Sequence, residues 1–224
     1  MRKAAALLAF LGSVATVQPA LAAADGKLQI KVLGTAVLPD GKIEKVRKDL
    51  VGLPAGTQTK ANDNVVPTVA IEYFFTPNVS VETICCVTQH DVDATSGLPA
   101  GAELVADAQI IPATFTLKYH LMPEGAIRPY VGAGPTYFLF IKDKPGAAAR
   151  TLGANGFKLD DAFGVALQAG VDVPVNDSGM VVSLDAKKYF VSTDAHWYVN
   201  GAEVINTKHK LDPWVLSAGV GFRF

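Results

Sequence analysis

Beyond residue 27 the chain alternates between apolar and polar residues with a period of two. Leu28, Ile30 and Val32 are separated by Gln29 and Lys31. Val69, Ile71, Tyr73 and Phe75 interleave with Thr68, Ala70 and Glu72, and Val79 to Val87 interleave with Ser80, Glu82 and Thr88. The same pattern runs through 111–119, 127–139, 163–173, 182–186 and 214–224, giving eight stretches. Successive side chains on a strand point to opposite faces, so this pattern predicts eight half-apolar β-strands rather than helices. With 224 residues, half of them apolar, and a net charge of −1, the chain suits one domain with a full core. Disorder does not fit that apolar content, and the charge offers nucleic acid no basic field.

The connections alternate as well. Segments near 76–78, 122–126 and 174–178 are short and carry turn residues, whereas 39–64, 91–104, 142–158 and 193–211 are long. Short turns at one end, long loops at the other and an even strand count are the marks of a transmembrane barrel, with both termini on the short-turn side. Export is predicted independently. Arg2 and Lys3 precede an uncharged, mostly apolar run from Ala4 to Val17, and Ala20-Leu21-Ala22 supplies a small-x-small cleavage site. Residues 1–22 therefore read as a removed signal peptide and 23–224 as a single barrel domain. Losing Arg2 and Lys3 takes the net charge from −1 to −3. No later stretch approaches the roughly 18 apolar residues of a spanning helix.

The two strand faces differ. Gly132, Gly134, Gly164, Gly170, Gly219 and Gly221 lie on the less apolar face, while the other carries large aliphatic and aromatic residues. An eight-stranded barrel has barely room for side chains inside, so the glycine-bearing face is assigned to the lumen and the bulky face to lipid. Aromatics fall near strand ends: Tyr73, Phe75, Tyr119, Phe222 and Phe224 by the short turns, and Tyr137, Phe163, Phe190 and Trp214 towards the long loops. Interfacial girdles have this placement.

On the inward face, a turn centred near Pro77 and Asn78 sets Glu72 opposite Glu82, and one centred near Pro123 sets Lys118 opposite Arg128. Asp172 and Arg223 fall inward near the same end. Like charges across a ladder repel, but a carboxylate pair beside a cationic pair is satisfied. These six residues predict a charged lumen cluster that either packs a narrow lumen or plugs it. Phe138, Phe140, Ala166, Val181 and Val215 predict an apolar upper lumen.

The last strand, Leu211-Asp212-Pro213-Trp214-Val215 through Gly221-Phe222-Arg223-Phe224, resembles the end of the OmpW family of outer-membrane proteins. Arg128-Pro129-Tyr130-Val131-Gly132-Ala133-Gly134 resembles its fifth strand, Gly164 to Gln168 with Gly170, Val171 and Asp172 its sixth, and Gln89-His90-Asp91 the end of its third. The resemblance implies an eight-stranded barrel in the Gram-negative outer membrane. It also implies a narrow apolar lumen, passage of small hydrophobic solutes and lateral escape into the bilayer. Phe224 would then be the signal read by the barrel assembly machinery. Phe163 stands where that family usually carries Trp and marks a candidate gate region.

Other signals are weaker. Cys85 and Cys86 are neighbours on a strand, point to opposite faces and read as free thiols. His90, His196 and His209 are assigned to the outer rim as solvated side chains, so no metal is expected. Lys42, Lys45, Arg47 and Lys48 could meet lipopolysaccharide phosphates. Otherwise they form a solvated loop with a short helical turn through Ile43, Val46 and Leu50. Ser183 and Asp185 share a face without a His between them, and no G-x-S-x-G, P-loop or H-E-x-x-H occurs, so neither enzyme activity nor a cofactor is expected. The expected partners are outer-membrane lipids and lipopolysaccharide, the assembly machinery and small hydrophobic solutes, for a monomer or weak oligomer. The competing reading is a structural or receptor-like barrel acting through its long loops.

Overall fold

The computed structural model describes residues 26–176 and 178–224; the signal-peptide assignment lies outside them. In chain order the strands are β1 (Leu28–Leu38), β2 (Lys42–Asp49), β3 (Gln58–Ala61), β4 (Asn64–Phe74), β5 (Val79–Cys85), β6 (Thr88–Ser96), β7 (Glu103–His120) and β8 (Arg128–Pro145). After helix α1 (Ala147–Thr151) come β9 (Gly156–Leu159), β10 (Ala162–Pro174), β11 (Met180–Phe190), β12 (Ser192–Val199), β13 (Ala202–Lys210) and β14 (Trp214–Arg223). Eight of them close into an antiparallel barrel in the order β1-β4-β5-β7-β8-β10-β11-β14, and β14 returns to β1. The termini meet at the short-turn end, where Leu28 and Phe224 exchange both backbone hydrogen bonds.

The exposed face is the apolar one. Along β4, Val65, Val69, Ile71 and Tyr73 point out, while Thr68, Ala70, Glu72 and Phe74 are buried in the lumen. Tyr73, Phe75 and Tyr119 ring one end of the exposed belt, and Tyr137, Phe163, Phe190 and Trp214 ring the other. A water-soluble barrel shows the reverse, so this surface faces lipid.

The long outer segments are themselves mostly strand. β2, β13, β12 and β9 form a four-stranded sheet that continues β1, β14, β11 and β10 beyond the girdle, after breaks at 39–41, 211–213, 191 and 160–161. Residues 42–50, expected as loop with a helical turn, are largely the strand β2, because β13 offers it an edge and pairs with it from Lys42 to Asp49. β3, β6, β7 and β8 prolong the opposite wall.

That wall is interrupted at one level. The β5–β7 ladder ends at Ile84–Thr114 and the β6–β7 ladder resumes in the same register at Thr88–Ile110. Between them Pro112 has no N–H to offer. On the other side the β4–β5 ladder ends at Val69–Cys85, and Pro67 lies just beyond. Cys86 and Val87 therefore sit in a stretch of wall without ladder bonds on either flank, Cys86 buried and Val87 exposed.

The lumen is as tight as the glycine positions imply. A Cβ at Gly219 would lie 2.1 Å from the Val32 carbonyl oxygen, and one at Gly170 would lie 2.4 Å from the Tyr130 hydroxyl. Gly170→Ala is expected to destabilise the barrel by about 1–3 kcal/mol through this overpacking. Urea unfolding of the protein refolded in bilayers measures it; an unchanged midpoint would contradict the packing.

Candidate functional site

Seven of the eight barrel strands send side chains into one buried network in the lower lumen. The Lys118 ammonium donates to Glu72 Oε2 and Glu82 Oε2, both at 2.8 Å. Lys31 reaches Asp172 at 3.0 Å and Glu72 at 3.2 Å. Lys187 reaches Asp185 at 2.7 Å and Glu82 at 3.0 Å. Gln168 donates to Glu82 and Asp185, the Tyr130 hydroxyl donates to Asp185, and Gln29 donates to Asp172. His120 Nε2 lies 2.9 Å from Glu72, and the Lys118 Nζ stands 3.7 Å over the Tyr130 ring. Glu72 and Glu82 are direct cross-strand partners, and Lys118 lies between their carboxylates. Their mutual repulsion is thereby converted into a bridged arrangement.

Four of the six charges named from the sequence, Glu72, Glu82, Lys118 and Asp172, stand in this network. Arg128 does not face Lys118, because the β7–β8 ladder pairs Lys118 with Gly132. The turn is centred lower than Pro123: Gly125 N–H donates to Met122 and Leu121 N–H donates to Pro129. Arg128 instead sits opposite Asp172 and donates to Gly125 O at the barrel's foot. Arg223 donates to Gly26 O and lies 3.7 Å from the Phe74 ring. Both arginines line a small cavity of about 10 Å³ beneath the network. Lys31, Lys187, Asp185, His120 and Tyr130 join the cluster beyond the six residues that the sequence predicts. Their inward parity was visible in the alternation, but their heights depend on register between distant strands.

Above the network the lumen opens into an apolar cavity of about 60 Å³, lined by Val37, Ile84, Ile110, Phe138, Phe140, Tyr189, Leu211 and Val215 among others. Ala166 packs in the same core without lining it. Val181, expected here, is instead in the lower cavity with Arg128 and Arg223. It pairs with Pro174 and Gly221, one residue past the β10–β11 turn, so its register places it at the foot. Cys86 lines the apolar cavity, while Cys85 is exposed on the outer face. Phe163 also faces outward, 70% exposed, beside Tyr137.

Two histidines expected in solvent are buried in this cavity's wall. His90 Nδ1 is 2.7 Å from the Asn62 carbonyl and so must donate, leaving Nε2 to accept from Thr88 at 2.8 Å. His209 Nε2 accepts from Thr207 at 2.8 Å, and Nδ1 faces Gly41 O and the Thr59 hydroxyl at 3.4 Å. Burial pushes His209 down to about 4, so it stays neutral at ordinary pH. With both ring nitrogens of each turned to wall partners, the cavity is offered almost nothing but carbon. His196 lies in the outer sheet beside Asp160 at 3.1 Å.

A closed eight-stranded barrel with a lipid-facing belt, aromatic girdles and extended outer strands defines a bacterial outer-membrane barrel. The chain belongs to the OmpW family, which matches residues 24–224. It is 33% identical over 213 residues to a Sinorhizobium fredii protein named uncharacterized outer-membrane protein y4mB, covering 94% of this chain and 86% of that one. It is 29% identical over 169 residues to dibenzothiophene metabolism operon protein PahQ of Pseudomonas aeruginosa, covering 75% and 76%. The crystal structure of the outer-membrane protein OprG from Pseudomonas aeruginosa matches with a TM-score of 0.77 at 26% identity, covering 89% and 96%. The protein is thus an outer-membrane barrel of the OmpW and OprG type, an architecture consistent with transport of small hydrophobic molecules.

Removing one partner of a buried ion pair leaves an uncompensated charge. Glu82→Gln is therefore expected to cost about 3–5 kcal/mol of barrel stability, and Glu82→Gln with Lys187→Met less than the sum of the two single changes. A double-mutant cycle in urea reads both; additive costs would contradict a shared network.

Proposed function

We propose that this chain lets small apolar solutes cross the outer membrane passively and leave sideways into the bilayer. The observation that carries this reading is the pairing of a carbon-lined cavity with a fully bonded ionic floor. A polar solute entering the cavity would lose its water and find no partner, at about 1–3 kcal/mol per unmatched group. An apolar solute pays nothing comparable, but the floor gives it no downward path, because opening it would expose buried charge pairs. The remaining exit is the interrupted wall at Cys86 and Val87, between Pro67 and Pro112, which stands at the level of the cavity and opens on lipid. In this account Glu72, Glu82, Lys118 and Asp172 form the floor, with Arg128 and Arg223 below it. Phe138, Phe140 and Val215 form the solute's contact surface. The relative whose name ties it to dibenzothiophene metabolism supports a flat apolar aromatic as one solute class.

Two partner assignments belong to the same proposal. Phe224, which closes the β1–β14 ladder at the barrel's foot, is the residue offered to the assembly machinery. Lys42 stands across from Lys210, and Lys45 across from Lys208. Lys208 and Lys210 are paired with Glu44 at 2.8 Å and Asp212 at 3.1 Å, which leaves Lys42 and Lys45 to meet the phosphates of lipopolysaccharide at this surface. That arrangement favours, as a second reading, a role in surface interaction.

Proteoliposomes test the first reading. A small apolar fluorophore is expected to enter faster than a charged solute of similar size, and Phe138→Asp with Val215→Asp to slow it by about tenfold or more. Equal rates for both solutes, or apolar uptake insensitive to these changes, would contradict it.

A further inference from the structure

The outer end of the apolar cavity is packed. Val105, Ala108 and Ala195 line it and join Ala149 and Trp197 in one core, with Phe157 and Trp197 ring centres 4.9 Å apart. A solute arriving along the barrel axis meets this packed core before it reaches the cavity.

Two seams separate the outer sheet from the opposite wall. At the β2–β3 seam, Ala61 N–H donates to Asp40 O at 3.3 Å and the Thr59 hydroxyl donates to Gly41 O at 2.6 Å. Gly41 packs so closely there that a Cβ would lie 2.5 Å from the Ala61 nitrogen. The β8–β9 seam is built differently. The β8–β10 ladder ends at Phe138–Ala162. Above it, Phe140 N–H donates to the Asp161 carboxylate at 2.9 Å and Leu159 N–H donates to the Asp143 carboxylate at 2.6 Å. The Tyr137 hydroxyl also donates to Asp161, at 3.3 Å. Side-chain carboxylates, which rotate about their own bonds, stand where a ladder would use fixed backbone carbonyls.

Apolar residues stand on both sides of this seam, with Lys158 and Asp160 paired on its outer surface. Phe140 and Leu159 line the cavity within. Phe163, Tyr137 and Ile141 are exposed on the outside, at its foot and flank.

We propose that the β8–β9 seam is the inlet by which apolar solutes reach the cavity from the outer surface, with Asp161 and Asp143 as its latches. This rests on the transport reading above. It assigns the two openings different tasks: solutes come in between β8 and β9 and leave at Cys86 and Val87. Rotation of the two carboxylates frees the Phe140 and Leu159 N–H groups without breaking any ladder bond, and the aromatic pair outside supplies a surface on which an apolar solute can wait.

Two measurements test the door separately from transport. Hydrogen exchange reads the seam itself. Asp161→Ala is expected to speed exchange at the Leu159 amide, whose own acceptor is Asp143, by about tenfold while the ladder amide of Ala162 is unchanged. An unchanged Leu159 rate overturns the door. Uptake reads its use. In a Cys85→Ala, Cys86→Ala protein, Ile141→Cys and Lys158→Cys are bridged by a short bis-methanethiosulfonate, each thiol displacing methanesulfinate to form a reducible disulfide. Uptake of the apolar fluorophore is expected to fall about tenfold and to recover on reduction, whereas single-cysteine controls keep the parent rate. Uptake by the bridged protein at the unbridged rate overturns the inlet. If the wild-type protein takes up no solute, the transport reading fails, and with it the inlet's use, while Leu159 exchange still decides whether the seam opens.

Discussion

Ion pairing inside the closed barrel is the constraint from which the rest of the architecture follows. Glu72, Glu82, Asp172 and Asp185 are buried side by side, and no such group tolerates burial without a counter-charge. Lys31, Lys118 and Lys187 supply it, each bridging at least two carboxylates contributed by different strands. The network therefore ties β1, β4, β5, β7, β10 and β11 to one another across the lumen, in addition to the ladder that ties each to its neighbours. A slip of one residue in any of these strands would send its charge into lipid, so the network also fixes register.

This arrangement divides the lumen into two unlike chambers. Polar side chains are spent at the foot, where they satisfy each other. Above them the wall turns to carbon, and the few polar groups present, His90 and His209 with their threonine partners, are bonded away from the cavity. The membrane supplies the other half of the logic. A β-barrel in lipid must satisfy its backbone internally, so an opening in its wall has to occur where backbone donors are missing or otherwise bonded. Pro67 and Pro112 remove donors at one site, and Asp143 and Asp161 bond them at another.

Much of this was legible in the sequence because a period of two is local. Eight strands, their inward and outward faces, the short and long connections and the aromatic girdles all follow from it. What depended on register between strands was less secure. Glu72 and Glu82 were matched because their turn is tight, whereas Lys118 and Arg128 were mismatched because the turn around Gly125 is longer than its proline suggested. Val181 differs for another reason: it directly follows the short 174–178 turn, and that nearness alone puts it at the foot. Lys31 and Lys187 had the right parity, but only the closed barrel brings them to Glu72 and Glu82. The outer sheet has no such local signal. β2 is an edge strand with Lys, Glu and Arg on its surface and no clean alternation, and β13 in the folded chain is what makes it a strand.

The central claim is that solutes pass through the apolar cavity and out beside Cys86. The native thiol tests this without rebuilding the lumen. In a Cys85→Ala protein, Cys86 is capped with a benzyl group through a reducible mixed disulfide, and apolar uptake into proteoliposomes is followed before capping, after it and after reduction. The account predicts that capping slows uptake by about tenfold or more and that reduction restores it. Complete capping, verified by mass, with uptake unchanged would contradict it.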